Sequence, residues 1–193
     1  MEIRPAQEAD AARVAEIYRH YVTETVVTFD LETPPASAWE ARLCTARDSG
    51  YPALVGCLDG RVIGYALLAA WKPRPAYRFT AEVSIYLDPD FTGAGHGRAL
   101  LERLLDEARR AGIRQVIAVI ADAGVEASVA LHRALGFRAI GRMHEVGFKH
   151  DRWIDVDLLQ LDLHESRGAS TGDDHAAPPQ SMRSPITAVL GHV

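Results

Sequence analysis

The sequence predicts a single α/β (α+β) domain, a central mixed sheet with helices on both faces. Three observations carry this. Between residue 1 and about residue 165, short apolar runs bounded by turn residues alternate with stretches whose apolar residues recur every three or four positions, the signatures of strands and of amphipathic helices. Two of the runs meet at Asp59-Gly60, a pair that tolerates positive φ and so favours a hairpin. A third run leads straight into a glycine-rich turn and a long amphipathic helix, a strand, turn and helix succession that fits a mixed sheet.

Taken along the chain, residues 1–4 read as a short strand, and Val14, Ile17, Tyr18, Tyr21 and Val22 have the spacing of a helix that starts near Asp10. Thr33 followed by Pro34 reads as an N-cap with proline in the first turn, and Gly50 as the stop of a second helix carrying Trp39 and Leu43. Residues 53–58 and 62–70 are the strands of the hairpin, and residues 79–87 a third strand. Helical patterns then cover residues 95–111, closed by Gly112, and 126–135, closed by Gly136, with a strand at 115–120 between them. Two last strands, near 137–148 and 153–163, flank a turn at Lys149, His150 and Asp151. No internal repeat interrupts this order.

The 193 residues are 48% hydrophobic and 24% charged, close to globular averages, which excludes collagen-like, largely disordered and disulfide-scaffold classes. Lys plus Arg number 21 against 26 Asp plus Glu, a net charge of -5. Nucleic-acid and anionic-membrane binders draw affinity from clustered basic charge, which is absent here, so the expected partner is a small molecule. Cys44 and Cys57 are too few and too far apart for a disulfide framework or a zinc site and are expected as reduced, buried thiols, with no metal bound. No apolar stretch follows a positively charged start, and the longest apolar runs fall far short of a membrane span, which predicts a cytoplasmic protein. Residues 166–193, rich in Ser, Gly, Ala and Pro and without an aromatic residue, are expected as a flexible tail on a domain spanning 1–165.

The most informative stretch is residues 87–101, LDPDFTGAGHGRALL. Without Cβ atoms, Gly93, Gly95 and Gly97 let backbone N–H groups converge on a ligand, and the helix that begins there adds its positive dipole end. That is an anion site suited to a pyrophosphate, so a phosphate-bearing cofactor is implied. No Gly-Lys-Ser/Thr closes the turn, and its order is GxGxG rather than GxGxxG, which argues against nucleotide hydrolysis and hydride transfer.

Together with residues 80–87 (TAEVSIYL), 128–137 (SVALHRALGF) and 146–153 (VGFKHDRW), the glycine turn resembles the GNAT acetyltransferases. More narrowly it resembles their phosphinothricin and methionine-sulfoximine N-acetyltransferase branch, which residues 25–29 and 71–77 also match. The resemblance spans residues 2 to about 163. It implies the GNAT fold, a mostly antiparallel, twisted sheet of about seven strands. It also implies acetyl-CoA as co-substrate, its pantetheine along the strand edge at Ile85, Tyr86 and Leu87 and its pyrophosphate on the amides of Gly93, Ala94, Gly95, His96, Gly97 and Arg98. The positions of Val125 and Ser128 would complete the cofactor contacts. Three departures stand out: Thr92 where the family usually has Gln or Arg, Ala94 where it often has Arg, and Val125 where it commonly has Asn. The resemblance further implies a homodimer, in which Lys149 would reach a neighbouring subunit's site.

Acetylating an amine at neutral pH requires removal of a proton from an ammonium before the nitrogen can attack a thioester. Glu82 is the sole acid in the strand at 79–87, and burial among Val, Ile and Tyr would raise its pKa toward the working pH. Strand alternation alone would favour its facing solvent on the polar face of a half-exposed strand. The family match at Thr80-Ala81-Glu82 assigns it as general base. His132, where the branch carries a histidine, is expected to orient substrate or relay the proton. Lys72, Arg74 and Arg78, beside Trp71 and Tyr77, offer cations for an amino acid's carboxylate and for a phosphinate, sulfoximine or sulfone oxygen. Phe29 would form an apolar wall. The expected reaction is acetyl transfer to the amino group of a small amino-acid analogue by direct attack, with no metal and no covalent acyl-enzyme. A protein N-terminus or another amine as acceptor, and a non-catalytic acyl-CoA-binding module, stand as alternatives.

Overall fold

The computed structural model describes residues 1–124 and 126–164. The expected cofactor contact at Val125, the domain end at 165 and the tail at 166–193 lie outside the described residues. The elements run β1 (Glu2–Pro5), α1 (Ala11–Glu24), α2 (Ala36–Asp48), β2 (Ala53–Leu58), β3 (Arg61–Ala70), β4 (Thr80–Leu87), α3 (His96–Arg110), β5 (Gln115–Ala121), α4 (Ala127–Ala134), β6 (Arg138–Lys149) and β7 (Arg152–Asp162). All seven strands share one sheet in the order β1-β2-β3-β4-β5-β7-β6. Every adjacent pair is antiparallel except β4 and β5, which are parallel and joined through α3. The expected mixed, mostly antiparallel sheet is therefore present.

Each face of the sheet is covered because strand alternation sends apolar side chains to both sides. On one face α3 lays down Leu100, Leu101, Leu104 and Leu105 against Leu68, Val83, Val116 and Leu159. Neighbouring positions one helical turn apart form this stripe, and each fully buried leucine contributes about 1.5–3 kcal/mol. On the other face α1 and α2 set Val14, Ile17, Tyr18 and Trp39 against Val55 and Tyr65. The Asp59-Gly60 turn has φ of 49° and 78°, both left-handed, as a two-residue hairpin that follows the strand twist requires.

Two expectations are corrected. The second helix starts at Ala36, with Pro35 as its N-cap at φ -67° and ψ 163°, not at a Thr33 cap. The residue before a proline is pushed to extended ψ, so Pro34 cannot turn helical ahead of Pro35. Cys57 is buried, but Cys44 is only half-buried on α2, where its Sγ lies 3.2 Å from Glu8 Oε1.

The feature that makes a site is the junction of β4 and β5. Their pairing runs from Thr80↔Gln115 to Val83↔Ala118. Beyond it the two strands continue to Leu87 and Ala121, paired with β3 and β7 but not with each other, so the edge of β4 from Ser84 onward stands open toward β5.

Candidate active site

A cleft of about 660 Å³ opens where β4 and β5 part. Ile85, Tyr86 and Leu87 form one wall, and Gly93, Gly95, Gly97 and Arg98 close one end. Ser128 and His132 from α4, and Phe29 from the α1–α2 connection, also line it. Glu82 is the one carboxylate among the described residues lining the cleft. Of the cofactor positions read from the sequence, Ala94 and His96 belong to the turn but not to the cleft wall. Ala94 is exposed and His96 half-buried.

The turn suits a pyrophosphate. Gly93 and Gly95 have φ of 78° and 81°, left-handed values that favour glycine, and a Cβ at either would meet nothing within 4 Å. That leaves clear space in front of their amides. Gly95 caps α3, whose first turn carries no acidic residue, so nothing offsets the positive end of the helix dipole. Arg98, exposed at the cleft's end, shares its charge with Glu102 at 2.9 Å. The open β4 edge offers backbone groups to the amides of a pantetheine arm, apart from the Leu87 carbonyl, which accepts from Tyr21 Oη at 2.6 Å. These residues fit acetyl-CoA.

Strand alternation sends Glu82, Ser84 and Tyr86 to the α1 side of the sheet and Val83, Ile85 and Leu87 to the α3 side. Tyr86 therefore sends its ring away from α3, stacking on Tyr65 at 5.5 Å and meeting Tyr18 edge-on at 5.1 Å. Only its backbone remains available on the open edge. Glu82 is half-buried, and burial pushes its carboxyl above the ordinary glutamate value against the pull of the Lys72 charge. His132 is 3% exposed. Its Nδ1 lies 2.8 Å from the Ser128 carbonyl, and a carbonyl only accepts, so Nδ1 carries the proton and Nε2 a free lone pair. Nε2 is buried without a partner among the described residues. Burial lowers the pKa of this imidazole despite that hydrogen bond, which keeps the ring neutral at pH 7. Phe137 supports it edge-on at 4.9 Å.

The basic group is placed differently. Lys72, Arg74, Tyr77 and Arg78 are exposed on the β3–β4 connection and do not line the cleft. Lys72 Nζ sits 4.5 Å over the Trp71 ring, and Arg78 stacks on Phe79 at 4.4 Å while donating to the Pro75 carbonyl. A loop with no acidic residue of its own to pair with leaves these cations to cover aromatic faces. Lys72 is the one whose field reaches Glu82. Lys149 is also corrected: it is 5% exposed and donates to the Thr28 carbonyl of its own chain at 2.9 Å. Left-handed φ at His150 and Asp151 (49° and 56°) tightens the β6–β7 turn, and Lys149 faces inward.

Sequence reasoning missed the α1 side of the cleft. Tyr18, Tyr21, Val27 and Thr28 all line it. Tyr18 Oη is hydrogen-bonded to Thr28 Oγ1 and donates to Asp30 at 2.9 Å. Burial pushes its hydroxyl up to about 12. Tyr18 and Tyr21 occupy helix positions that periodicity alone reads as core; the hydroxyl on an apolar stripe was the available signal.

The profile of the Acetyltransferase (GNAT) family matches residues 14–137. The L-methionine sulfoximine/L-methionine sulfone acetyltransferase of Salmonella typhimurium is 41% identical over 92% of this chain and 98% of its own length. The phosphinothricin N-acetyltransferase of Alcaligenes faecalis is 40% identical over 84% of this chain and 82% of its own. Among solved structures, a GNAT superfamily phosphinothricin acetyltransferase from Sinorhizobium meliloti in complex with acetyl-CoA superposes with a TM-score of 0.82. It is 41% identical and covers 90% of this chain and 94% of its own. The family match takes in the parted strands, the glycine turn and the His132 helix together, and the chain belongs to the GNAT family of acetyl-CoA-dependent N-acetyltransferases.

Proposed function

We propose that this protein acetylates the α-amino group of a small amino-acid analogue of the phosphinothricin or methionine-sulfoximine kind, with Glu82 as general base. The observation that carries this reading is a half-buried carboxylate of raised proton affinity, the one carboxylate among the described residues lining the cleft that begins where the β4–β5 ladder ends. The names of the relatives at 40% and 41% identity support the acceptor class.

Acetyl-CoA supplies a thioester carbonyl and a thiolate leaving group. The amides of Gly93, Gly95 and Gly97 hold its pyrophosphate, and the open edge at Ile85–Leu87 orients the pantetheine. Glu82 takes a proton from the acceptor's ammonium, directly or through a water. The freed nitrogen lone pair then forms the C–N bond as the C–S bond breaks, without an acyl-enzyme. His132, neutral and with its lone pair on Nε2, acts as a second proton acceptor or orients the amine. Phe29 closes the acceptor side, and Lys72, whose charge reaches Glu82, offers a cation to the acceptor's carboxylate and phosphinate or sulfoximine oxygens, whereas Arg74, Tyr77 and Arg78 stay outside the cleft. Thiol release from acetyl-CoA tests this on a panel of phosphinothricin, methionine sulfoximine, methionine sulfone and a peptide. Turnover of the analogues alone supports the reading; turnover of the peptide alone overturns the acceptor class.

The pH dependence follows from burial. Only the ionised Glu82 can accept a proton, so kcat/KM for the acceptor falls on the acid side with an apparent pKa above the ordinary glutamate value, and Glu82→Gln loses that limb. The sign for stability is opposite. A folded-state pKa raised above the unfolded one gives stability that is present below the unfolded value and lost as pH rises through the folded one. Glu82→Gln should therefore melt no lower than the parent at pH 8, and a markedly lower Tm would contradict this account of its burial.

A homodimer is the proposed assembly. β6 is a 12-residue edge strand, and Ile140, Val146, Phe148 and Trp153 on the β6–β7 hairpin are between 50% and 62% exposed. A long apolar edge of this kind is a template for pairing. Sedimentation should give a dimer for the parent and a monomer for Trp153→Asp; a monomeric parent refutes it.

A further inference from the structure

The glycine turn contains the least constrained residues in the site, yet it has to present several amides to one ligand at once. The segment that leads into it, Asp88 to Thr92, is held by a buried carboxylate. Asp88 is 7% exposed, and no carboxylate of the cleft or the turn has as many partners. Its N–H donates to the Ile63 carbonyl at 2.8 Å, and its own carbonyl accepts from Phe91 N at 2.9 Å. Oδ1 accepts from Asp90 N at 3.1 Å. Oδ2 accepts from Arg61 Nη2 at 2.8 Å and from Arg13 Nη2. Arg13 lies on α1 and also donates from Nε to the Val62 carbonyl at 3.0 Å. Arg61 opens β3 and lies 5.5 Å over the ring of Phe91, two residues before Gly93. One buried carboxylate thus ties α1, β3 and the start of the turn into a single body.

We infer that Asp88 is a positioning residue for the phosphates of acetyl-CoA: it touches no ligand, and it fixes where Gly93 and Gly95 begin their left-handed path. The inference rests on the proposed seat of the pyrophosphate on that turn. A flexible turn would have to be ordered on binding, whereas an anchored one is ordered in advance, and that difference appears in the affinity for CoA. The proton transfer proposed for Glu82 is not touched.

Asparagine at this position keeps the shape and removes the charge. With its oxygen toward Asp90 N, it turns an NH2 onto two guanidinium donors; flipped, it turns the NH2 onto the Asp90 N–H. The first orientation loses both guanidinium anchors and the second loses the anchor on Asp90. Calorimetric titration with CoA should show Asp88→Asn weakened about tenfold and Arg61→Gln, which keeps the Arg13 arm, weakened about threefold. The KM for the acceptor and kcat at saturating acetyl-CoA should stay within about twofold of the parent. A purely structural role would lower Tm and leave CoA affinity unchanged at temperatures where the variant is fully folded, and that result overturns the inference. If Asp88→Asn does not fold, Arg61→Gln decides on its own: CoA affinity equal to the parent's overturns the proposal. Gly95→Val, which forces a β-branched side chain to φ of 81°, is titrated alongside. Loss of CoA binding there with parental binding in both Asp88-network variants refutes the anchoring and spares the cofactor seat. Parental binding in Gly95→Val removes the seat, and the inference with it.

Discussion

Glu82→Gln is expected to lower kcat by about 10²–10⁴ while leaving the dissociation constant of CoA within twofold of the parent. The substitution is isosteric, so the half-buried site keeps its packing. What it removes is the only carboxylate lining the cleft among the described residues. The remaining ring, His132, holds its proton on Nδ1 against Ser128 and has a pKa lowered by burial, so it accepts a proton weakly. The contacts proposed for acetyl-CoA lie on the β4 edge beyond Ser84 and on the glycine turn, away from the side chain at 82. Loss of CoA binding with loss of turnover would mean that residue 82 shapes the cleft rather than moves a proton, and undiminished turnover would remove it from the chemistry.

Gly147→Ala is expected to reduce kcat/KM for the acceptor by about ten- to a hundredfold, with CoA affinity unchanged and Tm lowered by no more than about 2 °C. Gly147 on β6 lies against the ring of Phe29, and a Cβ there would overlap Phe29 Cζ and Cε2. The three nearest atoms all belong to that ring, so the fold absorbs the methyl by moving the ring. The ring cannot move far with its loop, because Lys149 Nζ holds the Thr28 carbonyl and Tyr18 holds the Thr28 hydroxyl. The consequence is a displaced acceptor wall on an undisturbed cofactor seat. Steady-state kinetics with each substrate varied in turn checks this: an unchanged acceptor term would mean that Phe29 is no part of the acceptor site.

These two expectations differ in how far the sequence could have led to them. Glu82 was singled out by the family match at Thr80-Ala81-Glu82 on top of its place as a lone acid among Val, Ile and Tyr, and the structure adds its place in the cleft and the direction of its proton affinity. Gly147 was legible only as part of a matched segment. That it leaves room for a ring 118 positions earlier in the chain depends on the pairing Gly147↔Ile154 and on the path of residues 25–35. The basic group shows the opposite failure. Lys72, Arg74 and Arg78 looked like one cluster in the sequence, but two of the three rest on their own neighbours' aromatic rings, and none enters the cleft.

By itself the sequence determined what is local or periodic. The Asp59-Gly60 hairpin, the leucine stripe of α3, the glycine turn at its head and the mixed sheet all follow from spacing, φ preference and the need to bury apolar faces within a few residues of one another. The exception is the start of α2, where Pro35 overrode a plausible cap. Tertiary structure alone decided what depends on distant segments meeting: the parting of β4 from β5 beyond Val83 and Ala118, the inward turn of Lys149, and the Arg13–Asp88–Arg61 anchor. The physical reason is range. Backbone preference and hydrophobic period act over a few residues and leave their mark in the order of the chain, whereas electrostatic and steric contacts between residues tens of positions apart exist only once the sheet has brought them together.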